Sequence, residues 1–65
     1  MITQTIINHI LDNHLETKVG LSKFLKKTPF CIENYKRGRY EMNPTKLLQL
    51  CREYGLNIND FQDND

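Results

Sequence analysis

TKVGLSKFLKKTPFCIENYKRG occupies residues 17–38 and decides the fold. Thr17 is a good N-cap, because its hydroxyl can accept a free amide of the turn that follows. Val19, Leu21, Phe24 and Leu25 then supply a short apolar face, so a helix is expected over about 18–25. Gly20 inside it costs about 1 kcal/mol relative to alanine. Thr28-Pro29 is the sharpest local signal: threonine caps, and proline takes the first helical position, where its missing N–H costs nothing. The next helix is expected over about 29–36, with Ile32 and Tyr35 inward and Gly38 as its stop.

Only Lys26, Lys27 and Thr28 join these two helices. A joint this short imposes a sharp angle, as in a helix-turn-helix. Outward from it the periodicity stays helical. Ile6, Ile7, Ile10, Leu11 and Leu15 recur at three- and four-residue steps, which predicts a first helix over about 3–14 starting near Thr3 or Thr5. Asn43-Pro44 repeats the cap-plus-proline signal. Leu47, Leu48, Leu50, Cys51 and Tyr54 make the apolar face of a fourth helix, closed by Gly55. Asn57 or Asn59 then caps a last short turn with Asp60 and Phe61. The polar tail Gln62-Asp63-Asn64-Asp65 is expected to fray. The expectation is a single all-α domain of five short helices over residues 1–65.

The 65 residues are 38% apolar and 26% charged. A chain of this size buries about 60% of its unfolded surface and cannot build a large interdomain cleft. No apolar run approaches the ~18 residues of a membrane span, and the start lacks the pattern of a signal peptide. A cytoplasmic location and no membrane partner are therefore expected. Cys31 and Cys51 form no CxxC pair and have no closely spaced Cys/His companions. They are read as reduced, partly packed thiols, with Cys31 nearer the surface. His9 and His14 are expected to face solvent. No metal, cofactor or small-molecule ligand is expected. Without a paired-carboxylate, Ser/His/Asp, Cys/His or glycine-rich phosphate arrangement, neither is an enzyme.

The formal net charge of +1 conceals a pattern: residues 1–17 carry −2, residues 18–39 carry +6 and residues 40–65 carry −3. A basic middle between acidic ends suggests one face built for a polyanion.

Residues 17–61 also resemble the lambda-repressor/Cro (Xre-type) helix-turn-helix family. Thr17-Lys18-x-x-Leu21-Ser22 resembles the family's second helix start. Thr28-Pro29-Phe30-Cys31-Ile32 resembles its capped recognition helix, and Tyr35-Lys36-Arg37-Gly38-Arg39 its aromatic-x-x-Gly-basic ending. Leu47-Leu48-x-Leu50-Cys51, then Gly55-Leu56-x-Ile58-x-Asp60-Phe61, resembles helices four and five. Three features depart from the pattern. Lys26 stands where the family favours glycine, Lys36 where glutamate is common, and the first connection is one residue longer.

The resemblance implies a compact five-helix domain that binds double-stranded DNA, with the second helix of the pair in the major groove. Thr17, Lys18, Lys27, Thr28, Lys36, Arg37 and Arg39 are then the phosphate-binding residues, which give affinity and register rather than sequence. Pro29, Phe30, Glu33 and Asn34 are the base-reading positions. Asn34 leads them, because its amide can pair with adenine. Glu33 is suited to accept from cytosine N4. Phe30 either meets a thymine methyl or turns inward. The implied function is a sequence-specific transcriptional regulator, most like a phage or prophage Cro-type or repressor-type protein. It would act as a homodimer that occludes a promoter on a near-palindromic site. Leu56, Ile58 and Phe61, or the loop from Tyr40 to Met42, are the candidate dimer surfaces. The alternative is a protein-binding module on the same fold, such as an antitoxin or a phage-encoded inhibitor of a host protein. The apolar Pro29-Phe30 pair motivates it.

Overall fold

The computed structural model describes residues 2–61 and contains four α-helices. They are α1 (Ile2–Asp12), α2 (Lys18–Leu25), α3 (Pro29–Lys36) and α4 (Pro44–Glu53). A single 3-10 turn, Ile58–Phe61, stands where a fifth helix was expected. There is no strand among the described residues. The tail expected to fray, 62–65, lies outside them.

Three helices start on the expected caps. Thr17 Oγ1 accepts from Gly20 N at 3.0 Å, Thr28 Oγ1 from Cys31 N at 3.2 Å, and Asn43 Oδ1 from Lys46 N at 2.9 Å. Helix α1 is capped from far along the chain. Thr3 N donates to Glu41 Oε1 at 3.0 Å, Thr3 Oγ1 donates to the same oxygen, and Met42 N donates to Thr3 Oγ1 at 3.0 Å. A carboxylate at the positive end of a helix is favourable.

All four helices end in one way. A left-handed residue donates to the carbonyl three back, and its successor to the carbonyl five back, as in a Schellman motif. The left-handed residues are His14, Lys26, Gly38 and Gly55, with φ of 57°, 57°, 77° and 68°. The successors' bonds are Leu15 N to Ile10 O at 3.0 Å, Lys27 N to Ser22 O at 2.9 Å, Arg39 N to Asn34 O at 2.9 Å and Leu56 N to Cys51 O at 2.7 Å. Two of the four stops are not glycine. Helix α1 therefore ends two residues before the expected boundary, with Asn13 Nδ2 donating to His9 O at 2.8 Å.

The core is Ile6, Ile7 and Ile10 of α1, Leu21 and Leu25 of α2, Ile32 of α3, and Leu47, Leu50 and Cys51 of α4, with Met42. Burial pushes the Cys51 thiol pKa up. Several expected core residues lie outside it. Leu15 falls beyond the end of α1 and is exposed. Val19 sits two positions from Leu21, hence on the opposite side of α2, and is exposed. Phe24 and Leu48 flank the inward rows and are also exposed. Met42 is buried, which removes it from any outer surface. Leu56, Ile58 and Phe61 pack against the core of their own chain. His9 is half-buried rather than solvent-facing, its ring edge-on to Phe61 at 5.1 Å.

Helix α3 packs against both α1 and α2, and the 3-10 turn against α1 and α4. Asn8 Nδ2 of α1 donates to Lys36 O at 3.3 Å and so satisfies a carbonyl at the end of α3. This arrangement leaves one side of α3 outward.

Candidate nucleic-acid interface

Phe30, Glu33 and Arg37 follow one another at three- and four-residue steps, so they share a face of α3. Phe30 is 72% exposed, which settles its direction as outward. Pro29 beside it is exposed as well.

Glu33 organises the middle of this face. Its Oε2 lies 2.9 Å from Lys18 Nζ, and its Oε1 lies 3.3 Å from Arg37 Nε. Oε2 is shielded from solvent, and Lys18 Nζ at 2.9 Å is within hydrogen-bond distance of it. The contact with Lys18 does most to hold the Glu33 carboxyl below its ordinary range. Desolvation acts against it, and the charges of Lys18, Lys36 and Arg37 add to it. The start of α2 and the end of α3 thus meet at one carboxylate.

Asn34, expected as the chief base reader, is 4% exposed. Its Nδ2 donates to the Phe30 carbonyl at 3.2 Å. The residue turns its amide back along its own helix, so it is not offered on the outer face. This corrects its place among the base-reading positions.

The remaining expected residues are on the surface. Thr17, Lys27, Thr28, Lys36, Arg37 and Arg39 are exposed, and the Lys18 side chain is 43% exposed. The two threonine oxygens are used as caps; the Thr17 hydroxyl also donates to Glu16 Oε1 at 3.5 Å, and the Thr28 hydroxyl carries a proton to donate. Lys26 and Lys23 are exposed too. Lys26 holds the left-handed turn between α2 and α3 without glycine.

Glu16 is a residue that sequence reasoning missed. Its Oε1 accepts from Thr17 N at 2.8 Å, and its Oε2 accepts from Tyr54 OH at 3.2 Å. A Cβ at Gly20 would run into this carboxylate. The small residue at 20 makes room for a side chain that ties the start of α2 to the end of α4. Desolvation first, then the Glu16 charge, pushes the Tyr54 pKa up to about 12. No short-range pattern carries this contact, because its partners are 38 residues apart.

A hollow lies between Phe24 of α2 and Gln49, Arg52 and Glu53 of α4. Among the described residues, no three His, Cys, Asp or Glu side chains are grouped to hold a metal. Nor is any helix there long and apolar enough to cross a membrane. No family model, curated protein or solved structure matches this chain.

Proposed function

We propose that this chain is a sequence-specific double-stranded DNA-binding protein, a small transcriptional regulator of the Cro or repressor kind. In this reading α2 and α3 are the two helices of a helix-turn-helix, and the 3-10 turn is the remnant of a fifth helix. The observation that carries it is the convergence of Lys18 and Arg37 on the outer side of α3, behind an exposed Phe30. Helix α3 then enters the major groove, and the capped starts of α2 and α3 meet phosphates with their free amides. Lys18, Lys27, Lys36, Arg37 and Arg39 neutralise further phosphates. Pro29, Phe30 and Glu33 are left to read bases, Phe30 against a thymine methyl and Glu33 against cytosine N4.

One such helix reads few base pairs, so two copies on a near-palindrome are expected, with half-sites ~34–36 Å apart. The apolar surfaces first considered for pairing are mostly spent in the core, which leaves Tyr40, 48% exposed, as the candidate from that loop.

A second reading is favoured by one observation. An aromatic ring exposed as Phe30 is also suits a pocket on a protein partner, as in an antitoxin or an inhibitor of a host protein. Selection of bound duplexes from a random pool, at about 150 mM salt, separates the two. DNA binding is expected to enrich a short near-symmetric site. Equal recovery of all sequences would remove the sequence-specific reading and leave the protein partner.

A further inference from the structure

We infer that Glu33 is an internal competitor for the cations that face a duplex: its carboxylate occupies Lys18 and Arg37 in the free protein, and phosphates gain both only by displacing it. The inference rests on the DNA-binding reading and adds a mechanism of discrimination to it.

Each oxygen of Glu33 serves one cation, at 2.9 Å for Lys18 and 3.3 Å for Arg37. The two cations come from opposite ends of the helix pair, so a single carboxylate between them halves the positive charge they present. The Lys18 and Arg37 side chains remain 43% and 59% exposed. Ion pairs this open to water are weak and screened by salt, which makes them displaceable. The carboxylate side chain itself is only 26% exposed.

Displacement has a consequence that depends on sequence. Once Lys18 and Arg37 turn to phosphates, Glu33 is left as an unpaired anion facing a polyanion. A cytosine N4 amino group in the groove can then donate to it. Other bases at that position leave the carboxylate uncompensated. Specificity then comes from a penalty on wrong sequences as well as from attraction to the right one.

The test compares wild type, Glu33→Gln, Lys18→Gln/Arg37→Gln and the triple variant. Each is titrated with a random duplex and with the duplex enriched by selection, between 50 and 200 mM salt, on the scale of the salt dependence of phosphate contacts. Glu33→Gln keeps the side-chain shape, and Glu33→Ala serves as a second variant of the same charge change. On random DNA, where no cytosine N4 is set to compensate a displaced carboxylate, wild type is expected to keep Glu33 on its cations, so Glu33→Gln should bind tighter than wild type. Its salt slope should steepen by about 0.9 for each cation released, or about 3-fold to 12-fold more affinity lost over that range. Its preference for the enriched duplex should shrink. In the Lys18→Gln/Arg37→Gln background, removing the carboxylate should leave the slope unchanged.

Equal slopes for wild type and Glu33→Gln, with both binding, would overturn this inference and leave DNA binding standing. A steeper slope that persists without Lys18 and Arg37 would also overturn it, because the carboxylate would then act by plain repulsion. Binding of no duplex by either protein would overturn the DNA reading and the inference with it.

Discussion

Helices α3 and α4 start alike. Thr28-Pro29 and Asn43-Pro44 each place a capping oxygen on the amide three residues on, with proline in the first turn. Beyond that turn they part. Helix α4 buries Leu47, Leu50 and Cys51 and is held by apolar packing. Helix α3 buries only Ile32 and the polar Asn34. It is held as much by polar contacts: Asn34 to Phe30 O, Asn8 to Lys36 O, and Glu33 between Lys18 and Arg37. The same opening therefore serves two ends. A helix fixed by its inner face tolerates an ordinary polar outside, whereas α3, though packed against both α1 and α2, fully buries a single apolar side chain and presents a large aromatic ring to water.

The contrast can be broken by substitution, and the largest effect belongs to α4. Leu50→Ala removes a fully buried side chain and is expected to cost about 2–5 kcal/mol in denaturant unfolding. A loss below about 1 kcal/mol would mean that α4 is not the apolar anchor described here.

The stop of α3 comes next. Gly38 has φ of 77°, and a Cβ there would lie 2.9 Å from Gln4 Oε1. Gly38→Ala is expected to cost about 1–2 kcal/mol from the left-handed backbone alone. The reverse change at the stop of α2, Lys26→Gly, is expected to stabilise by about 1 kcal/mol, because Lys26 holds φ of 57°. Paired melts of these two variants read both signs.

Asn34→Ala is expected to cost about 1 kcal/mol, from the lost bond to the Phe30 carbonyl, and to leave base preference unchanged. A relaxed preference at one base pair, with stability intact, would return Asn34 to the groove.

The smallest effect on stability is expected at Phe30. Phe30→Ala should change it by no more than about 0.5 kcal/mol while duplex affinity falls. The acid limb of stability gives a companion measurement. The Glu33 pKa is lowered in the folded protein, so its ion pairs contribute above its ordinary value and are lost as pH falls through the depressed one. Glu33→Gln should flatten that part of the curve, and an unchanged acid limb would mean that the pairs add nothing.

The bounds of α2 and α3 were legible in the sequence because threonine caps and Pro29 are local signals that burial does not override. The stop of α1 was not, since Asn13-His14 closes it without glycine, a choice that composition does not announce. Among site residues, the exposure of Phe30 answered a question the sequence left open. The burial of Asn34 defeated the sequence reading, because resemblance fixes a register along the helix but not the rotamer that turns an amide back onto its own backbone. The pairing of Glu33 with Arg37 is visible as a four-residue spacing. Its pairing with Lys18 and the tie from Glu16 to Tyr54 depend on how distant segments pack.

The outer side of α3 as a duplex-binding surface is tested most directly by amide chemical shifts during titration of the ¹⁵N-labelled chain with its enriched duplex. The expected result is a set of shifts confined to the start of α2, around Thr17 to Gly20, and to α3 from Thr28 through Arg37. Shifts gathered instead on α4 and around Phe24, with α3 undisturbed, would contradict the account.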